Sequence, residues 1–69
     1  MSNLKRIRVS AGLSQTDLAT RSGVSVRMIQ HYEQGAKDIN RAQAITLYQL
    51  ARVLNCQTEN LIEIEEVEE

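Results

Sequence analysis

The sequence predicts an all-α fold, a compact domain of five helices with a steep turn between the second and third. Three observations carry this. Helix formers dominate and no long β-branched alternation interrupts them until the tail. Proline is absent, and glycine occurs only at 12, 23 and 35, where it punctuates rather than interrupts. Side chains that cap helices recur just ahead of apolar runs.

Each element follows in order. Helix one spans 2–11 and presents Leu4, Ile7 and Ala11 as one stripe. Gly12 ends it. Helix two spans 15–21: Ser14 caps it, Asp17 stands three residues on as in a capping box, and Leu13 with Leu18 has the spacing of a hydrophobic staple. Helix three spans 26–34, with Ser25 as cap, Val24 and Ile29 as staple, and Gly35 as stop. Helix four spans 41–54, with Asn40 and Gln43 as a capping box, Ile39 and Ala44 as a weaker staple, and Asn55 at its end. Helix five spans 59–64 behind Thr58. Only Ser22 to Ser25 separate helices two and three, so they cross steeply, as in a helix-turn-helix. The expected core adds Leu18, Ala19, Ile29, Tyr32, Leu47, Leu50, Ala51, Leu54, Leu61 and Ile62, with Val24 and Cys56 as plugs.

The chain has 69 residues, enough for one domain, set at residues 1–62 with an acidic tail at 63–69. A lone cysteine leaves no intramolecular disulfide and suits a reducing compartment. No apolar run approaches the roughly 20 residues of a membrane span. The opening MSNLKRIRVSAGLS lacks the apolar stretch of a signal peptide, so a cytoplasmic location is expected. No catalytic or metal-binding constellation is present, and neither an enzyme nor a cofactor is expected.

Charge is segregated. Residues 1–41 carry seven Lys and Arg against three acids, a net of +4; residues 42–69 carry one Arg against six Glu, a net of −5. One end is therefore suited to an anion and the other is not. The tail alternates apolar and acidic residues, compatible with a frayed helix, a short strand or disorder. A homodimer contact through Ile62, Ile64 and Val67, or a protein partner, would each give it a function.

Helix three holds the most informative face. With Ile29 and Tyr32 inward, Val26, Arg27, Gln30, His31 and Gln34 form one outer stripe. They are polar yet mostly uncharged. A guanidinium, amides and a small apolar tip match guanine, adenine and the thymine methyl in a major groove.

From Leu13 to Gly35 the segment reads L-S-Q-x-x-L-A-x-x-S-G-V-S-x-x-x-I-x-x-Y-E-x-G. It resembles the Cro/CI-type helix-turn-helix domain, the XRE family of phage and bacterial repressors. Leu47-x-x-Leu50-Ala51-x-x-Leu54 and Leu61-Ile62 match that family's last two helices. The resemblance implies a five-helix, lambda-repressor-like domain and a transcriptional regulator, most simply a repressor, bound to double-stranded DNA as a homodimer. It implies base contacts by Val26, Arg27, Gln30 and His31, and phosphate contacts by Gln15, Ser25, Lys37, Asn40 and Arg41. It also implies a structural ion pair between Arg8 and Glu33. Antitoxins of this fold bind DNA and a protein partner, which is the alternative reading. The loop before helix four is longer than the family's usual form and lacks its common proline.

Overall fold

Serine hydroxyls start the first three helices of the computed structural model, which describes residues 2–64. Helix α1 covers Asn3–Ser10, and Ser2 Oγ accepts from the Lys5 amide at 3.0 Å. Helix α2 covers Gln15–Ser22 with both bonds of the capping box formed: Asp17 N–H donates to Ser14 Oγ at 2.9 Å and Ser14 N–H to Asp17 Oδ2 at 3.1 Å. Helix α3 covers Val26–Gln34, and Ser25 Oγ accepts from Met28 N–H at 3.1 Å. Gly23 and Gly35 end α2 and α3 in the left-handed region, at φ of 77° and 79°, where any side chain is strained. Helix α4 covers Ala44–Leu54 and closes on Asn55, itself left-handed at φ 53°.

The ends of α1 and α2 differ from expectation by one residue, while two later elements change more, and for one kind of reason. Helix four starts at Ala44 rather than 41. Asp38 acts earlier: its carboxylate accepts from Asn40 N–H at 2.9 Å and caps a 3₁₀ turn over Ile39–Arg41. Ala42 is then extended, and Gln43 stands at the head of α4 without a side-chain bond. The expected Asn40–Gln43 box does not form, because the Asn40 side chain is bonded to Glu63. Likewise the fifth helix is a 3₁₀ turn, Thr58–Asn60, closed by Gln57 and Asn60. Beyond it the backbone bonds elsewhere. Ile62 C=O accepts from Asn3 Nδ2 at 3.0 Å, and Glu63 N–H donates to Asn40 Oδ1 at 2.7 Å. Groups that a longer helix would use within itself are spent on neighbours. The described residues therefore form four α-helices and two 3₁₀ turns. The alternation at residues 65–69 lies outside them.

Leu4, Leu18, Ile29 and Leu50, one from each α-helix, meet Leu61 as fully buried side chains. Val24, Tyr32, Ile39, Ala51 and Leu54 complete the core. Each fully buried Leu or Ile contributes about 1.5–3 kcal/mol relative to exposure. Ile7, Ala19, Leu47 and Cys56 pack at its edge. Burial pushes the Cys56 thiol up, which keeps it neutral. Ala11 is exposed, because the chain has already left α1 there, and Ile62 is half-buried. Ile39, expected only as part of a weak staple, is a core residue through its 3₁₀ turn.

Candidate nucleic-acid interface

The turn Gly23-Val24-Ser25 joins α2 to α3, with Val24 buried as its anchor. Behind α3, Ile29 and Tyr32 are in the core. That fixes the opposite stripe at the surface. Arg27 and Gln34 are exposed, and Val26, Gln30 and His31 are half-buried. The stripe is thus presented by an element whose back is locked by packing.

A hydrogen-bond network ties this helix to the other two. Arg8 lies on α1 and is buried. Its Nε donates to Glu33 Oε2 at 2.7 Å, its Nη2 to Glu33 Oε1 at 3.0 Å, and its Nη1 to Leu13 C=O at 2.8 Å. The side chains of Arg8 and Glu33 are only 10% and 3% exposed, so each charge relies on the other. The hydrogen bonds that Arg8 donates to Glu33 raise the Arg8 pKa, against the opposing effect of burial. Gln15, first residue of α2, donates from Nε2 to Glu33 Oε1 at 3.1 Å. Gln30 Nε2 in turn reaches Gln15 Oε1 at 3.4 Å. Glu33 therefore belongs to the scaffold, while Gln30 stands at the junction of scaffold and surface.

The helix starts face the same way in chemical terms. In α2 the amides of Gln15 and Thr16, and in α3 those of Val26 and Arg27, have no bonding partner among the described residues. Such N–H groups, at the positive end of a helix, favour anions. Ser25 uses its oxygen lone pair on Met28, which leaves its O–H free to donate. Lys37 is exposed, and its backbone N–H donates to His31 C=O at 3.2 Å, which ties the loop to α3. Arg41 is 90% exposed and lies 3.9 Å from Asp38. Asn40 is less free. Its Nδ2 donates to Glu63 C=O at 2.7 Å and its Oδ1 accepts from Glu63 N–H, leaving one Nδ2 hydrogen.

Sequence patterning does not foresee the Gln15–Glu33 and Gln30–Gln15 bonds. Both link residues 15 or more apart, and periodicity reports only faces of single helices. The one available signal is that Gln15 immediately follows a strong cap, which places it in the first turn of α2 beside α3.

Two helices joined by a short glycine turn, a mostly uncharged hydrogen-bonding stripe on the second, and open amides at both starts define a helix-turn-helix DNA-binding domain. A family model described as Helix-turn-helix matches residues 4–66. The chain belongs to that family, in its Cro/CI or XRE form, whose members are DNA-binding regulators of transcription. No curated protein and no solved structure gives a significant match. No helix among the described residues is long and apolar enough to cross a membrane, and none of their acidic, His and Cys groups cluster as a metal site.

Proposed function

We propose that the protein is a sequence-specific repressor that binds operator DNA as a homodimer, without catalysis. The observation that supports this best is the stripe on α3, which lies at the surface with Arg27 and Gln34 exposed while its reverse side is locked in the core. Arg27 and Val26, in the first turn, enter deepest into the major groove, with His31 and Gln30 following along the same face. Arg27 suits guanine, Gln30 adenine, and Val26 a thymine methyl. Phosphates are held by the backbone N–H of Gln15 and by Ser25 at the two helix starts, and by Lys37 and Arg41 from the loop. Asn40 adds its remaining Nδ2 hydrogen and chiefly braces that loop. Two copies would meet half-sites about 34–36 Å apart, or a multiple of that spacing. The low total charge is compatible with this, because the positive part of the chain includes α2, α3 and the loop.

A second reading makes the protein an antitoxin or other interaction module whose acidic tail grips a protein partner in the cytoplasm. The −5 charge of residues 42–69 favours it, and the two readings are compatible. Selection of bound DNA from a random pool, at low and high salt, tests the first. A palindromic consensus that persists at the higher salt is the expected result. Recovery of unrelated sequences, lost alike as salt rises, would remove sequence-specific reading.

A further inference from the structure

We propose that the groove between the end of α2 and the outer face of α4 binds the acidic C-terminal segment, residues 64–69, of a second copy of this chain. Helix α4 buries Leu50, Ala51 and Leu54 on one side. Its other side repeats at three and four residues with Ile45, Tyr48 and Arg52. Four large apolar side chains stand more than half exposed among the described residues. Two of them are Ile45 at 56% and Tyr48 at 52%, one turn apart on this stripe. With Val53 and the end of α2 they line a groove of about 650 Å³. Arg21 and Arg52 flank it, and no acidic residue lines it. Neither arginine is in an ion pair among the described residues. None of this surface belongs to α3, so the proposal stands apart from the DNA reading.

The chemistry selects the occupant. Packing two such grooves against each other would bring four arginines together, a like-charge arrangement that penalises self-pairing. A purely apolar partner would leave the arginines unanswered. The fitting ligand interleaves apolar side chains with carboxylates. Residues 64–69 read I-E-E-V-E-E: two apolar residues three apart and four carboxylates. Six residues reach about 20 Å when extended, and the stripe from Ile45 to Arg52 is about 10 Å long, so the segment spans it with room to spare. In the chain the segment follows Glu63, which is pinned to Asn3 and Asn40. Ile64 there lines a separate groove against Asn3, Arg6 and Ile7, which shares no residue with the α2–α4 groove. A neighbouring copy is taken as the source; insertion of a chain's own segment would instead leave a monomer that excludes the peptide. Exchange of two segments into two grooves closes a symmetric pair.

Sedimentation of the full chain is the first test, with a labelled IEEVEE peptide titrated into a chain ending at Ile64 as the second. The expected result is a full chain that dimerises in the micromolar range, with dimer lost in the shortened chain and peptide bound by it. Binding weakens with salt. Arg52→Glu reduces both dimer and peptide affinity by roughly tenfold or more, and Tyr48→Ser reduces both as well. Both residues are exposed, and circular dichroism is to check that the variants fold. A peptide with lysine in place of glutamate does not bind. Three results would each overturn the proposal: no binding of the acidic peptide to the shortened chain; a full chain that stays monomeric yet excludes the peptide, which places the segment on its own groove; and a dimer indifferent to the loss of residues 65–69.

Discussion

Glu33 gives direction to two side chains that look symmetrical on paper. Only the NH₂ end of the Gln15 amide can face a carboxylate, so the bond to Glu33 Oε1 turns Gln15 Oε1 outward. That oxygen accepts only from a donor, so Gln30 meets it with Nε2 and leaves its own oxygen to the solvent side. Gln15→Ala should therefore loosen base preference at the position Gln30 reads while changing the salt dependence little, which competition with substituted operators would detect. A uniform loss on every sequence would instead make Gln15 a phosphate contact alone. Arg27→Ala and Lys37→Ala should split in the same assays. The first should cost about 1–3 kcal/mol at one base pair and relax specificity there. The second should weaken all DNA and flatten the salt slope by roughly one. Equal effects of both on cognate and scrambled DNA would contradict the roles assigned. At this scale the sequence was legible where a residue's exposure follows from its own helix face, as with Arg27. It was silent on the Gln15–Gln30 bond, which exists only because α2 and α3 cross.

Helices were legible by their beginnings. Ser14, Ser25, Gly23 and Gly35 sit where short-range chemistry alone decides, and α2 and α3 start and stop there. Helix four starts later than its capping pattern predicts because two caps compete: Asp38 and Asn40 stand two residues apart, and long-range bonding to Glu63 removes Asn40 from the contest. The α2 cap also makes a prediction in acid. The backbone and hydroxyl of Ser14 hold the Asp17 carboxyl below the usual carboxylate range. A depressed acid stabilises the fold fully above its unfolded pKa and loses that contribution as pH falls through the folded value. Asp17→Asn should therefore melt lower than wild type at neutral pH, and the gap should close as the pH drops below the carboxylate range. A gap that persists in strong acid would mean the charge of Asp17 is not what matters.

For the molecule as a whole, the central ion pair decides whether three helices hold one geometry. Arg8 joins α1 to α3 through Glu33, and to the start of α2 through the Leu13 carbonyl. Arg8→Ala leaves a buried carboxylate without a counter-charge, at a cost of about 3–5 kcal/mol. Denaturant titration should show the loss. Replacing both residues by apolar ones of similar size should recover much of it, since the penalty lies in the orphaned charge. A variant as stable as wild type would show that water reaches Glu33. The all-α class and the buried leucines could be read from spacing, because both follow from periodicity. The closure of the chain upon itself could not, because no linear pattern links Asn3, Asn40 and Glu63.

That closure has a kinetic signature. The Glu63 amide lies near the end of the described chain, where exchange with solvent deuterium is ordinarily immediate. Here its hydrogen is held by Asn40 at 2.7 Å, while the Glu63 carboxylate accepts from the first amide of α1, also at 2.7 Å. One slow-exchanging hydrogen near the terminus should thus act as a spy for opening events elsewhere: Asn40→Ala should release it, together with the Asn3 amide, long before the interior of α4 begins to exchange.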